Sequence, residues 1–104
     1  MNLNDAYVSL KQAKLLKEKG FPQKVCNSTI DIAQPSLYLV HNWLIEEKNI
    51  FIDVLFGYHD GKLYFYCNLI SLNNYLCKHI DCTQRFKSYG EALSAGIDKA
   101  LLYI

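Results

Sequence analysis

The chain has 104 residues, 51% hydrophobic and 20% charged, with eleven basic against ten acidic side chains and a formal net charge of +1. That is the size of one domain, spanning 1–104, with a core that needs neither disulfides nor metal. The composition excludes a disordered chain, no apolar run is long enough for a membrane span, and the charge balance leaves no large field to draw in nucleic acid or anionic lipid.

The opening, MNLNDAYVSLKQAK, lacks a basic stretch followed by an apolar one, so it does not read as a secretory signal, and a cytoplasmic location is expected. Cys26, Cys67, Cys77 and Cys82 are then expected as reduced thiols. Ser9-Leu10-Lys11-Gln12 has the form of a capping box and predicts a helix from Leu10 to Lys19, stopped by Gly20 and Pro22. Leu10, Ala13 and Leu16 give it a narrow apolar stripe, with Lys11, Lys14 and Lys17 facing solvent. From Lys24 to Ala33 the mixed, β-branched pattern reads as a strand or small irregular hairpin turning at Asn27-Ser28.

Pro35 suits the first turn of a second helix, in which Leu37, Val40, His41 and Leu44 recur at helical spacing up to Lys48 or Asn49. Asn49 tolerates the left-handed backbone, so the chain can pass directly into Ile50. Ile50 to Ile70 is two strand-like runs joined at Asp60-Gly61, a pair suited to a type I′ turn. With those residues as the turn, His59 faces Lys62, Phe56 faces Phe65, Val54 faces Cys67 and Ile52 faces Leu69. The face of Ile52, Val54, Phe56, Phe65, Cys67 and Leu69 is the expected seat of the helices.

After Ile70 the periodicity is poor. Leu72, Tyr75, Leu76 and Ile80 fit a short helical turn and Gln84 to Phe86 a short strand. Ser88-Tyr89-Gly90-Glu91 is a second capping box, opening a helix with Leu93, Gly96, Ile97, Ala100, Leu101 and Ile104 on one stripe. Gly96 costs about 1 kcal/mol against alanine in a helix interior, which points to a close neighbour, with the hairpin as the natural candidate.

VSLKQAKLLKEKGF (Val8 to Phe21), PSLYLVHNWLIEEKNIFIDV (Pro35 to Val54) and SYGEALSAGIDKAL (Ser88 to Leu101) together resemble a family of small uncharacterised proteins of Bacteroides-type bacteria and their prophages or other mobile elements. The resemblance rests on Ala13 to Phe21, Trp43 to Ile50 and Ser88 to Ala92, and covers roughly half of the chain. It implies the same helix boundaries and a mobile-element context, and carries over no activity, cofactor or catalytic residue.

Candidate chemistry is sparse. Cys77, His79 and Cys82 form a cluster of metal-capable groups, but zinc wants about four ligands and the usual C-x-x-C knuckle is absent. His79 and Cys82 also have the spacing of a base and a thiol nucleophile on one helical turn, although such pairs arise readily by chance. Glu46 and Glu47 sit at a solvated helix end, and Glu91 has a capping role. No cofactor is expected, and the metal- or thiol-enzyme reading is the weaker one.

Phe51, Leu55, Tyr64 and Tyr66 lie on the hairpin face opposite the core, with Asp53 and Asn68. Aromatics on an open sheet can stack single-stranded bases, but Asp53 among them and the balanced charge favour a protein surface over nucleic acid. His41 and Trp43 read as boundary and core residues of the second helix. The expected fold is α+β: an antiparallel sheet of three to four strands built on the central hairpin, with about three helices packed on it. The expected function is a non-catalytic, self-associating interaction module using Phe51, Leu55, Tyr64 and Tyr66, with single-stranded nucleic-acid binding and a small metal or thiol enzyme as alternatives.

Overall fold

The computed structural model describes residues 7–23, 34–73, 78–80 and 84–104, with 78–80 described in backbone only. Three helices, α1 (Leu10–Glu18), α2 (Leu37–Lys48) and α3 (Tyr89–Tyr103), accompany two ten-residue strands, β1 (Ile50–His59) and β2 (Lys62–Ser71). The class is α+β, centred on an antiparallel hairpin. Lys78–Ile80 (β3) pairs antiparallel with the end of β2, Leu69 facing Ile80 and Ser71 facing Lys78, so the order is β1-β2-β3. The helical turn expected to include Ile80 is therefore corrected there to an extended, paired segment. Farther along the same edge of β2, Phe65 and Phe86 exchange both backbone hydrogen bonds, at 2.7 and 2.6 Å.

Local chemistry sets most of these boundaries. The Ser9 hydroxyl accepts from the Gln12 N–H, and the Gln12 side chain accepts from the Ser9 N–H, completing the first capping box. Lys19 is the C-cap of α1, and Gly20 follows at a φ of 93°. Ser36 caps α2 and Pro35 stands just outside it, a correction by one turn position: the Pro35 carbonyl accepts from the Val8 N–H at 3.1 Å. Asn49 ends α2 in the left-handed conformation, φ 56° and ψ 39°, and delivers the chain to β1 at the next residue. At α3 the Ser88 hydroxyl accepts from the Glu91 N–H, while the Glu91 carboxylate takes the N–H of Lys87 rather than that of Ser88. The strand or small irregular hairpin expected over 24–33 lies outside the described residues, as does Cys26.

The hairpin register is the one the turn dictates. Asp60 and Gly61 have φ of 52° and 76°, both positive as a type I′ turn requires, and His59↔Lys62, Phe56↔Phe65, Val54↔Cys67 and Ile52↔Leu69 are partners.

Among the described residues the helices pack mainly on the base of the hairpin. Ile50, Ile52, Cys67 and Leu69 join Leu16, Leu37, Val40, Leu44, Leu93, Ile97, Ala100 and Leu101 in one buried cluster. Each buried leucine, isoleucine or valine among them contributes about 1.5–3 kcal/mol by leaving water. Gly96 lets α3 close on the sheet: a Cβ there would stand 2.6 Å from Ile52 Cγ2 and 3.4 Å from Cys67 Sγ.

Toward the turn the cover ends, and Phe56, expected on the buried face, is 66% exposed. The reason is length. Ten strand residues reach about 33 Å, whereas the fifteen residues of α3 reach about 22 Å.

Two further corrections concern α1. Leu10, expected on the apolar stripe, is exposed, and Gln12 is buried in its stead. The Gln12 Nε2 donates to Ser94 O, Ser94 Oγ and Asp98 Oδ1, each at 3.0 Å, so one side chain caps α1 and fastens it to α3.

Candidate functional site

The two faces of the hairpin differ in what covers them. On the side opposite the core, Leu55 and Tyr66 are direct partners and Tyr64, opposite Gly57, is the next aromatic on the same face. All three are half-buried, and none belongs to the buried cluster that holds the helices. Tyr66 also leans toward Gly57, where a side chain would come within 3.7 Å of its ring. Phe51 is separated from them by the Asp53↔Asn68 pair and stacks, tilted by 50°, on the His41 ring at 5.2 Å. The four expected surface residues therefore divide into a trio and one outlier.

On the other side, past the end of the helices, Tyr58 faces Leu63 and Phe56 faces Phe65. Tyr58 is 72% exposed and Leu63 is exposed as well. Phe65 is partly covered by Tyr89 at the start of α3, their rings meeting edge to face at 6.4 Å. Of Phe56, Tyr58 and Leu63, only Phe56 carries an expectation from the sequence, and it was for the buried face. Alternation along a strand identifies the face of a residue but not how far the helices above it extend.

His41 occupies the sheet edge. Its Nε2 accepts the Ile52 N–H at 2.9 Å, which requires a neutral ring protonated on Nδ1. Burial pushes the imidazole below its ordinary 6.5. This keeps the acceptor nitrogen free of a proton, and His41 is thus a boundary residue that closes one backbone donor of β1.

An open depression of ≈ 390 Å³ lies between α2 and the segment that follows α1, lined by Phe21, Pro22, Leu39, Asn42, Trp43, Glu46 and Glu47. The Phe21 and Trp43 rings meet edge to face at 5.3 Å on its floor, with Lys48 Nζ 5.4 Å from the Trp43 ring. Among the described residues that line it, no nucleophilic side chain accompanies the two exposed carboxylates.

Cys77 and Cys82 lie outside the described residues, and of His79 only the backbone is described, paired with Ile70. Among the described residues no group of three or more His, Cys, Asp or Glu could hold a metal ion. Cys67 is buried beneath α3. Among the described residues no helix is long and apolar enough to cross a membrane.

With this geometry in hand, no protein-family model, curated protein or solved structure matches the chain. The chemistry of the hairpin is that of contact: aromatic and aliphatic side chains on both faces, with His59, Asp60, Gly61 and Lys62 exposed at the tip. The His59 Nε2 stands 3.5 Å from Asp60 Oδ2 there.

Proposed function

We propose that the chain is a non-catalytic protein-interaction module that associates with a second copy of itself, acting in the cytoplasm within a mobile-element protein set. The observation that carries this reading is the uncovered hairpin: Leu55, Tyr64 and Tyr66 on one face and Phe56, Tyr58 and Leu63 on the other lie outside the buried cluster. Apolar side chains left outside the core on both faces of a hairpin, three of them exposed and three half-buried, mark a contact site on a small protein. We read the sheet as three-stranded, β3 and the Phe86 bridge closing the β2 side, which leaves β1 as the long edge.

Nucleic acid is a poorer occupant of the same aromatics. Asp53 stands on their face, and a net charge of +1 offers little to phosphate.

Chromatography with inline light scattering tests the proposal. The wild-type chain should elute above its monomer mass, and Leu55→Ser with Tyr66→Ser should return it to monomer with its helical circular dichroism unchanged. A wild-type chain that stays monomeric at high concentration would overturn the reading.

A further inference from the structure

Resting on that self-associating reading, we infer how the second copy docks: β1 pairs antiparallel with β1 of the partner across a two-fold axis at Phe56, joining the two sheets into one. The inference begins with the direction of the backbone groups. Phe65 spends its N–H and C=O on Phe86, away from β1, so Phe65 and Phe56 are a pair without mutual hydrogen bonds. Phe56 therefore aims its own N–H and C=O out of the sheet, and by the two-residue period so do Ile52, Val54 and Tyr58. Leu55 and Gly57 point theirs inward, to β2.

The outward groups are closed at both ends. The Ile52 N–H is taken by His41, and after Tyr58 the strand enters its turn at Asp60. Val54, Phe56 and Tyr58 remain, with no partner from another element among the described residues. Three outward residues at equal spacing are symmetric about the middle one. A two-fold axis through Phe56 sets Phe56 against its own copy and Val54 against Tyr58 of the second chain, and every outward donor and acceptor between the two stops is paired, as a two-fold contact demands.

The side chains fit the same register. On the core side, Phe56 and Tyr58, 66% and 72% exposed, gain cross-strand neighbours at about 4.5–5.5 Å between Cβ atoms. On the opposite side Leu55 falls opposite Gly57 of the second copy, beside the Tyr66 ring that leans toward it. Asp53 falls opposite its His59, a carboxylate against an imidazole, twice over by symmetry. His59 is exposed, and to reach Asp53 the ring would turn from its surface contacts with Asp60 and the edge of the Tyr64 ring.

The test compares wild type, Phe56→Pro, Asp53→Lys, and Asp53→Lys combined with His59→Glu by sedimentation equilibrium, with urea midpoints to report folding. Proline removes an N–H that the hairpin itself does not use, at the kind of edge position where a sheet accepts it. Association should weaken by at least about tenfold in Phe56→Pro and in Asp53→Lys, and the added His59→Glu should restore it. Amide exchange supplies a second readout: in wild type, Val54, Phe56 and Tyr58 should gain protection as concentration rises, while Leu55 and Gly57 are protected throughout.

If the wild-type chain associates but Phe56→Pro associates equally well, or the three amides ignore concentration, the edge pairing is wrong and the self-association reading stands without it. A wild type that never associates removes both. Should Phe56→Pro fail to fold, the amide pattern of the wild-type chain decides.

Discussion

Replacing Gly96 by alanine separates two opposed effects. Alanine in a helix interior is better than glycine by about 1 kcal/mol, so on an exposed helix the change would stabilise. Here the added Cβ would stand 2.6 Å from Ile52 Cγ2, well inside an ordinary contact, and 3.4 Å from Cys67 Sγ. Ile52 is itself only 2% exposed and is held in the cluster with Ile97 and Leu69, so it has nowhere to swing. Overpacking of this kind costs about 1–3 kcal/mol, and the net expectation is a loss of about 1 kcal/mol, or roughly 4–8 °C in Tm for a domain of this size. Urea unfolding reads the change as a shifted midpoint at constant slope. Ile52→Ala deletes the obstructing methyl group, so in a double-mutant cycle the alanine at 96 should be tolerated better on that background, with a coupling of about 0.5–3 kcal/mol. Gly96→Ala stabilising the wild-type chain by its full helix-propensity gain would refute the close approach of α3 to the sheet.

Gln12→Leu removes both halves of a junction, leaving the Ser9 N–H and the α3 acceptors at Ser94 and Asp98 without their partner, and should cost about 1–3 kcal/mol by urea unfolding. Gln12→Glu should be no better, because a carboxylate cannot donate to Asp98 Oδ1 and repels it. The His41 ring, held neutral with a pKa below the ordinary 6.5, binds its proton more readily in the unfolded chain. Its contribution is therefore present above that ordinary value and lost as pH falls below it. The difference in urea midpoint between wild type and His41→Gln should shrink from about pH 7.5 to about pH 5, and a difference that stays constant would contradict the Ile52 N–H bond to Nε2. Tyr58→Ser, a change at an exposed site, should leave stability within about 0.5 kcal/mol while weakening association.

The elements most legible in the sequence were those fixed by local stereochemistry. Asp60-Gly61 dictated a turn with positive φ at both positions, and from it the whole register to Ile50↔Ser71 followed. Asn49 and Gly20 likewise announced left-handed positions, and Gly96 a close neighbour. Cover was less legible. The alternation that put Phe56 beside Ile52 and Cys67 carries no information on where α3 and α2 stop, and that extent decides which hairpin residues are surface. Gln12 was hidden for another reason: its capping role already accounted for it, and the second use of its amide depends on Ser94 and Asp98, more than eighty positions away. The role of His41 as a stop on the sheet edge likewise depends on α2 folding back beside β1, which no spacing within α2 reveals.

The central claim is that the uncovered hairpin serves a second copy of the chain, and sedimentation equilibrium over a wide concentration range tests it most directly. The account predicts a weight-average mass that climbs from 12.0 kDa toward twice that value. It also predicts that serine at Leu55 and Tyr66 together holds the mass at the monomer value. A wild-type mass that stays at 12.0 kDa throughout would contradict it.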